Sequence, residues 1–316
     1  MAEPRVSVLV TAFQHERYIG HALEGVLGQR GVEFELLVGD DFSTDGTRSV
    51  IEGYARAHPD SLQTFFPDRN LGQGGSAIFG AMLERARGEF VAGLDGDDFW
   101  TAPDKLSRQV AHMEAHPGCA MCFHDVICRH DDGSQPDARF TGQGPERALG
   151  VPELLEGIQI GSCAPLFRRE AIHPLPDWYF DLPWGDAPLY ILAAAHGTID
   201  YLPEVMGVYR IHGRGMYRGM PRLDALELQT RYYEGLEVPA ADRAQLTRKL
   251  AHAWVKLGLE HERLGDRGAA RECLARSLEV APFDPFRLRE PRGERRRLAL
   301  WLLLKTPSAL AARRAA

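Results

Sequence analysis

The sequence predicts an α/β fold in which an open, mostly parallel sheet with flanking helices precedes a helical C-terminal region. Three observations carry this expectation. Short apolar or β-branched runs alternate with helically periodic segments as far as Asp98. Each run ends in a polar cluster. From Leu223 onward the periodicity is helical.

The run over residues 6–10 predicts a buried strand, followed by Thr11-Ala12-Phe13-Gln14-His15-Glu16 and a helix carrying Ile19, Leu23, Val26 and Leu27. Residues 34–38 predict a second strand. The segment after it, from Gly39-Asp40-Asp41-Phe42 to Gly46-Thr47, is rich in turn and cap residues, and a helix through Val50, Ile51 and Tyr54 follows. A third strand near 63–66 leads to Asp68-Arg69-Asn70-Leu71-Gly72 and a helix over 76–87. A fourth, over 89–94, ends at Asp95-Gly96-Asp97-Asp98. Beyond it, strands are expected at 119–128, 199–201 and 206–212, with an apolar helix closed by Gly197. Trp254, Leu257, Gly258, His261, Gly265, Ala269, Ala270 and Pro282 resemble one tetratricopeptide hairpin over about 245–282. One such unit cannot bury its own face, so it is expected to dock on the sheet domain or on a second subunit. The expected division is 1–215 for the sheet domain and 216–316 for the helical region.

Open α/β sheets bind ligands at the carboxyl ends of their strands. Asp40/Asp41, Arg69/Asn70 and Asp95/Asp97 all fall at such ends. Asp95, Asp97 and Asp98 gather three carboxylates that repel one another unless a cation holds them. Hard divalent ions such as Mg²⁺ or Mn²⁺ take carboxylate oxygens together with phosphate and water. An acidic turn capping the next helix is the alternative for Asp95 and Asp97 alone.

The chain has 316 residues and a net charge of −7, which argues against nucleic acid as its main partner. Five scattered cysteines suggest reduced thiols and a cytoplasmic protein. No apolar run is long enough for a membrane span, and Met1-Ala2-Glu3-Pro4-Arg5 does not resemble a signal peptide. Cys119, Cys122 and Cys128 with His124 suggest zinc only superficially, because a strand would point them to different faces. The tail over 294–305 is basic and then apolar. It suits either peripheral contact with the inner face of a membrane or a core or homodimer helix.

Taken in order, several segments resemble the inverting family 2 glycosyltransferases of the GT-A fold across residues 5–213. They are Val10-Thr11-Ala12-Phe13, the run from Gly39 to Thr47, Asn70-Leu71-Gly72, Leu94-Asp95-Gly96-Asp97-Asp98-Phe99-Trp100, Pro103-Asp104-Lys105-Leu106 and Tyr209-Arg210-Ile211-His212. The resemblance implies a nucleotide-diphosphate sugar donor, with uridine diphosphate the commonest nucleotide, and Mn²⁺ or Mg²⁺ as cofactor. It implies an acceptor that is a saccharide, a lipid-linked sugar or a protein, in surface polysaccharide or glycoprotein assembly. It places Asp40 and Asp41 on the base and ribose, with Thr11 and Phe13 lining the same pocket. Arg69 matches a position near the diphosphate, a solvated loop arginine being the alternative. Asp97 matches the direct metal ligand, with Asp95 on the ribose or on a metal-bound water, and Asp98 orienting the loop. His212 matches a histidine returned to the ion or diphosphate, a structural histidine being the alternative. Two departures stand out: Phe42 where the family usually has glycine, and Gly185-Asp186 where it often has Glu-Asp.

A sugar hydroxyl needs a positioned base to attack an anomeric carbon. Asp186, after Trp184-Gly185 and at the start of an apolar helix, is the expected base, with Asp181 as fallback and a helix cap as its other role. Trp178, Tyr179 and Trp184 are candidates for stacking on an acceptor sugar, or are core. Two rival functions remain open. One is a sugar nucleotidyltransferase, although Thr11-Ala12-Phe13-Gln14-His15 lacks the glycine-rich basic loop usual there. The other is a non-catalytic nucleotide-sugar-binding scaffold.

Overall fold

The structure is a computed structural model, and it describes residues 3–282 apart from 143, 214 and 216–218. In chain order the elements are β1 (Val6–Ala12), α1 (Ile19–Leu27), β2 (Phe34–Asp40), α2 (Thr47–Ala57), β3 (Leu62–Phe65), α3 (Ser76–Leu83), β4 (Phe90–Asp95), β5 (Phe99–Trp100), α4 (Lys105–Ala115), β6 (Cys119–His130), β7 (Ala138–Arg139), α5 (Val151–Glu156), β8 (Pro165–Arg168), α6 (Arg169–Ile172), α7 (Asp177–Phe180), α8 (Asp186–His196) and β9 (Thr198–Ile211). Three helices follow: α9 (Arg222–Gly235), α10 (Arg243–Arg263) and α11 (Arg267–Val280). The chain divides into two compact units between residues 216 and 217.

The sheet runs β3-β2-β1-β4-β8-β6-β9-β5, with β7 on β6. The first four of these are mutually parallel, and β8 is antiparallel to both β4 and β6. β1 lies at the centre of the parallel part, and its apolar side chains are buried on both faces, as a strand covered by helices on each side requires. α1 meets the core with Ile19, Ala22, Leu23 and Val26, the spacing of one helical face. α3 lies so close to β2 that a Cβ on Gly39 would stand 2.8 Å from Ile78. At the amino edge of the sheet, Ser7 Oγ donates to Glu35 Oε1 at 2.6 Å, and the Arg87 guanidinium donates to Glu35 Oε2 at 2.7 and 2.8 Å. That pairing satisfies a carboxylate buried between β1 and β2.

The two strands expected at 199–201 and 206–212 are one continuous strand, β9. Leu202-Pro203-Glu204 resembles a break in sequence. In the sheet, however, His124 pairs with Leu202 and Asp125 with Val205, so Pro203 and Glu204 form a bulge where no ladder N–H is needed. The helix expected over 76–87 ends at Leu83.

In the second unit α10 packs against both α9 and α11. Ser277 Oγ on α11 donates to the Ala251 carbonyl at 2.8 Å, and Asp266 caps α11 by accepting from the Ala269 N–H at 2.9 Å. The basic and apolar tail over 294–305 lies outside the described residues. No helix among the described residues is long and apolar enough to cross a membrane.

Candidate active site

The parallel register decides which polar groups meet. Thr11 on β1 stands beside Asp95 on β4, and Ala12 stands beside Asp40 on β2, so the acids after two different strands share one sheet edge. Asp95 is held on both sides: Thr11 Oγ1 donates to Oδ1 and Ser162 Oγ to Oδ2, each at 2.9 Å. Burial and the neighbouring Asp97 raise its pKa against those two hydrogen bonds. Asp98 is buried, and one of its oxygens accepts from the Arg210 backbone N–H at 2.8 Å. Burial, then Asp97 and Asp95, push it well above the usual carboxylate range.

Asp97 differs from its neighbours. Burial alone would raise its pKa. His212 Nε2, 3.0 Å from Oδ2, and His15 Nε2, 3.6 Å away, outweigh that effect and bring it below the ordinary value. Of the three acids it is therefore the one whose ionised form its surroundings favour. The Arg210 guanidinium donates to the Asp97 carbonyl at 2.8 Å and lies over the Phe99 ring at 4.4 Å, tying β9 to the acidic turn. A cavity of about 320 Å³ lined by Phe13, Gln14, His15 and His212 opens beside Asp97.

On the next strand end, Asp40 is fully buried; Oδ2 accepts from the Ser43 N–H at 3.3 Å and lies 3.6 Å from Arg48 Nε. Its Oδ1 is buried without a hydrogen-bond partner. Asp41 Oδ1 accepts from the Leu71 N–H at 2.7 Å, and its carbonyl accepts from Asn70 Nδ2 at 2.8 Å, so Asp41 fixes the loop that carries Arg69. Arg69 itself is exposed. Phe13 is exposed beside the cavity, whereas the Thr11 hydroxyl is turned to Asp95.

Phe42 has φ +64°, in the left-handed region, which is why a glycine suits this position. A β-branched side chain there is strained by about 1–2 kcal/mol. Phe42→Val should therefore be less stable in urea unfolding than Phe42→Gly, although valine retains more apolar surface; equal stability would show that the turn does not hold this φ.

Asp186 opens α8, and its Oδ1 accepts from the Ala187 N–H at 2.7 Å. Its side chain is exposed to solvent, although the protein packed around it restricts its hydration and raises its pKa. Solvent entering from the open side tempers that effect. Asp186 belongs to the same electrostatic neighbourhood as the β4 acids. The Tyr209 hydroxyl is raised first by burial and then by Asp98, Asp95, Asp97 and Asp186 together. Of the aromatic candidates, Tyr179 is core, with no exposed surface, and Trp178 packs against the core; Trp184 is half-buried. Asp181 is exposed at the end of α7.

Two groups in this site escaped the sequence argument. Ser162 precedes β8 and His15 follows β1, and neither sits in a pattern that marks it. Only the tertiary fold brings them to Asp95 and Asp97. Arg210 was visible within Tyr209-Arg210-Ile211-His212, without a stated role.

Open α/β sheets take their ligands at the carboxyl edge, and here that edge gathers acids. The chain belongs to glycosyl transferase family 2, whose model matches residues 7–173. An uncharacterized protein of Mycobacterium tuberculosis is 36% identical over 67% of this chain and 60% of its own length. The chain thus spans less than two thirds of that relative. The succinoglycan biosynthesis protein ExoO of Rhizobium meliloti is 29% identical over 90% of this chain and 83% of its own. Among solved structures, S. aureus TarS in complex with UDP-GlcNAc superposes with TM-score 0.65 at 17% identity, covering 88% of this chain and 82% of that one. A mannosyltransferase from Pyrobaculum calidifontis, in complex with GDP-Man and Mn²⁺, gives TM-score 0.59 at 20% identity over 96% and 87%. The fold is the GT-A fold that the motifs led one to expect.

Proposed function

We propose that the protein transfers a glycosyl group from a nucleoside-diphosphate sugar, with uridine diphosphate as carrier, to an acceptor hydroxyl with inversion at the anomeric carbon. The observation that carries this is the convergence of Asp40, Asp41, Asp95, Asp97 and Asp98 at neighbouring strand ends, with Asp186 in the same field.

Each side chain has a role that follows from its surroundings. Asp40 and Asp41 bind base and ribose, and the exposed Phe13 ring offers a face for stacking. Asp95, fixed by Thr11 and Ser162, presents a rigid oxygen edge toward the ribose. Asp97, whose ionised form its surroundings favour, and His212 are the donor set for a divalent cation; a carboxylate with phosphate and water is the shell that Mn²⁺ or Mg²⁺ accepts. When bound, such an ion offsets the negative charge that grows on the departing diphosphate. Asp98 and Arg210 hold the turn in place, and Arg69 is placed to approach the diphosphate from its loop.

On the acceptor side Trp184 stacks on a sugar face and Asp186 takes the proton of the attacking hydroxyl. The oxygen bonds to the anomeric carbon as the bond to the diphosphate oxygen breaks on the opposite face, and nucleoside diphosphate leaves. One base suffices for this single displacement, whereas a retaining path through a glycosyl-enzyme would need a second carboxylate as nucleophile. A saccharide or lipid-linked acceptor in surface polysaccharide assembly suits this reading, and ExoO, a succinoglycan biosynthesis protein, is consistent with it.

A thermal-shift screen of nucleotide-sugars with and without Mn²⁺ tests the reading, because a ligand that binds the native state raises Tm. A uridine-diphosphate sugar should give the largest shift, and only with metal. Release of pyrophosphate in place of nucleoside diphosphate would assign the chain to the nucleotidyltransferases. Binding without any turnover or donor hydrolysis would leave it a scaffold.

A further inference from the structure

At the opposite edge of the sheet from these acids, His112, His116 and Asp200 bring one ligand atom each to within 4.8 Å of one another. His112 and His116 are four residues apart at the end of α4, on one face of the helix. Asp200 lies near the start of β9, paired with Cys122 near the start of β6. His112 Nε2 stands 2.9 Å from Asp200 Oδ2. The other Asp200 oxygen accepts from Thr198 Oγ1 at 3.1 Å, which fixes the carboxylate and leaves Oδ2 facing the imidazoles.

His116 is oriented as a ligand would be. Its Nδ1 lies 2.8 Å from the His112 carbonyl, and a carbonyl only accepts, so Nδ1 is the donor there and Nε2 is the nitrogen left to face an ion. Metal-bound histidines characteristically donate their second N–H to a carbonyl or carboxylate in this manner. The two rings are stacked with centroids 4.2 Å apart, which holds both imidazoles on one side of the helix end. An ion pair between His112 and Asp200 accounts for two of the three groups and gives no reason for the third. Cys119 nearby is buried and its Sγ donates to the Met121 carbonyl at 3.0 Å, so the ligand set is two nitrogens and one oxygen. His116 is exposed, which leaves a coordination position open to water.

We propose that His112, His116 and Asp200 form a second cation site, separate from the donor edge, that takes a borderline transition-metal ion, Zn²⁺, with water as fourth ligand. Two imidazoles and one carboxylate suit Zn²⁺, whereas Mg²⁺ prefers an all-oxygen shell. Bound there, the ion joins the end of α4 to β9 and strengthens the fold without touching the donor.

The test is calorimetric titration of Zn²⁺ into chelator-treated full chain, with Tm read in parallel and Co²⁺ absorption as a report on nitrogen ligation. Asp97→Ala, which lacks the donor-edge cation set, should still bind Zn²⁺ and gain Tm, and the other variants are read in that background. His116→Gln, at an exposed position, and Asp200→Asn should lose at least tenfold in affinity, together with the Co²⁺ visible bands. Circular dichroism of His116→Gln establishes that the fold is kept. Unchanged Zn²⁺ affinity in both variants, or no Zn²⁺-dependent Tm shift in wild type, would overturn the site and leave a His112–Asp200 ion pair only. Neither result bears on nucleotide-sugar transfer, which rests on other residues.

Discussion

Asp186→Asn should lower kcat by about 10²–10⁴-fold, the usual contribution of a positioned base, while donor affinity stays within a factor of about two. The amide keeps the size of the side chain and accepts the Ala187 N–H through its oxygen, so α8 should start as before. What it loses is proton affinity. The pH profile supplies a second signature. Asp186 works as the carboxylate, and burial raises its pKa. The acid limb of kcat should therefore fall at a higher pH than an exposed aspartate would give, with activity rising as pH climbs through that pKa and lost below it. In Asp186→Asn this limb should vanish from the residual rate. A variant with full transfer rate would remove Asp186 from the chemistry and direct attention to Asp181.

Asp97→Ala should have the other large effect, and on a different step. It removes the one acid of the β4 cluster whose ionised form is favoured and leaves His212 and His15 facing an empty position. Removing a single electrostatic anchor for transition-state charge typically lowers kcat by about 10²–10³-fold. Here the loss should extend to donor binding, and the Mn²⁺-dependent Tm shift with nucleoside diphosphate should disappear. Asp95→Asn is a useful contrast. Its oxygens are bonded to Thr11 and Ser162, so substitution disturbs the position of the loop before it disturbs charge. Its effect should lie mainly in KM. Full metal dependence in Asp97→Ala would place the cation elsewhere.

Much of the nucleotide half was legible because it rests on local patterns. β1, β2 and β4 are apolar runs long enough to read as buried strands, and the clustered acids at Asp40/Asp41 and Asp95/Asp97 announce themselves by mutual repulsion. The remainder depends on register and long-range packing, which no local pattern encodes. That Thr11 meets Asp95 follows from the alignment of β1 with β4. That Ser162 reaches the same carboxylate follows from β8 running antiparallel beside β4. Pro203 disguised β9 as two strands because the bulge that tolerates it requires β6 alongside. The pairing of His112 and His116 with Asp200 has the same origin: the helical spacing was present in the sequence, but the third ligand lies 84 residues beyond His116.

On the proposed reading, acids at adjacent strand ends seat a cation against the donor diphosphate. A crystal structure of the chain with uridine diphosphate and Mn²⁺, with anomalous scattering at the manganese edge, tests it most directly. The expected map has a manganese peak beside Asp97 and His212, in contact with the diphosphate, and the base over Asp40 and Asp41. Nucleotide bound in that cleft with no manganese at Asp97, or bound away from the β2 and β4 ends, would contradict it.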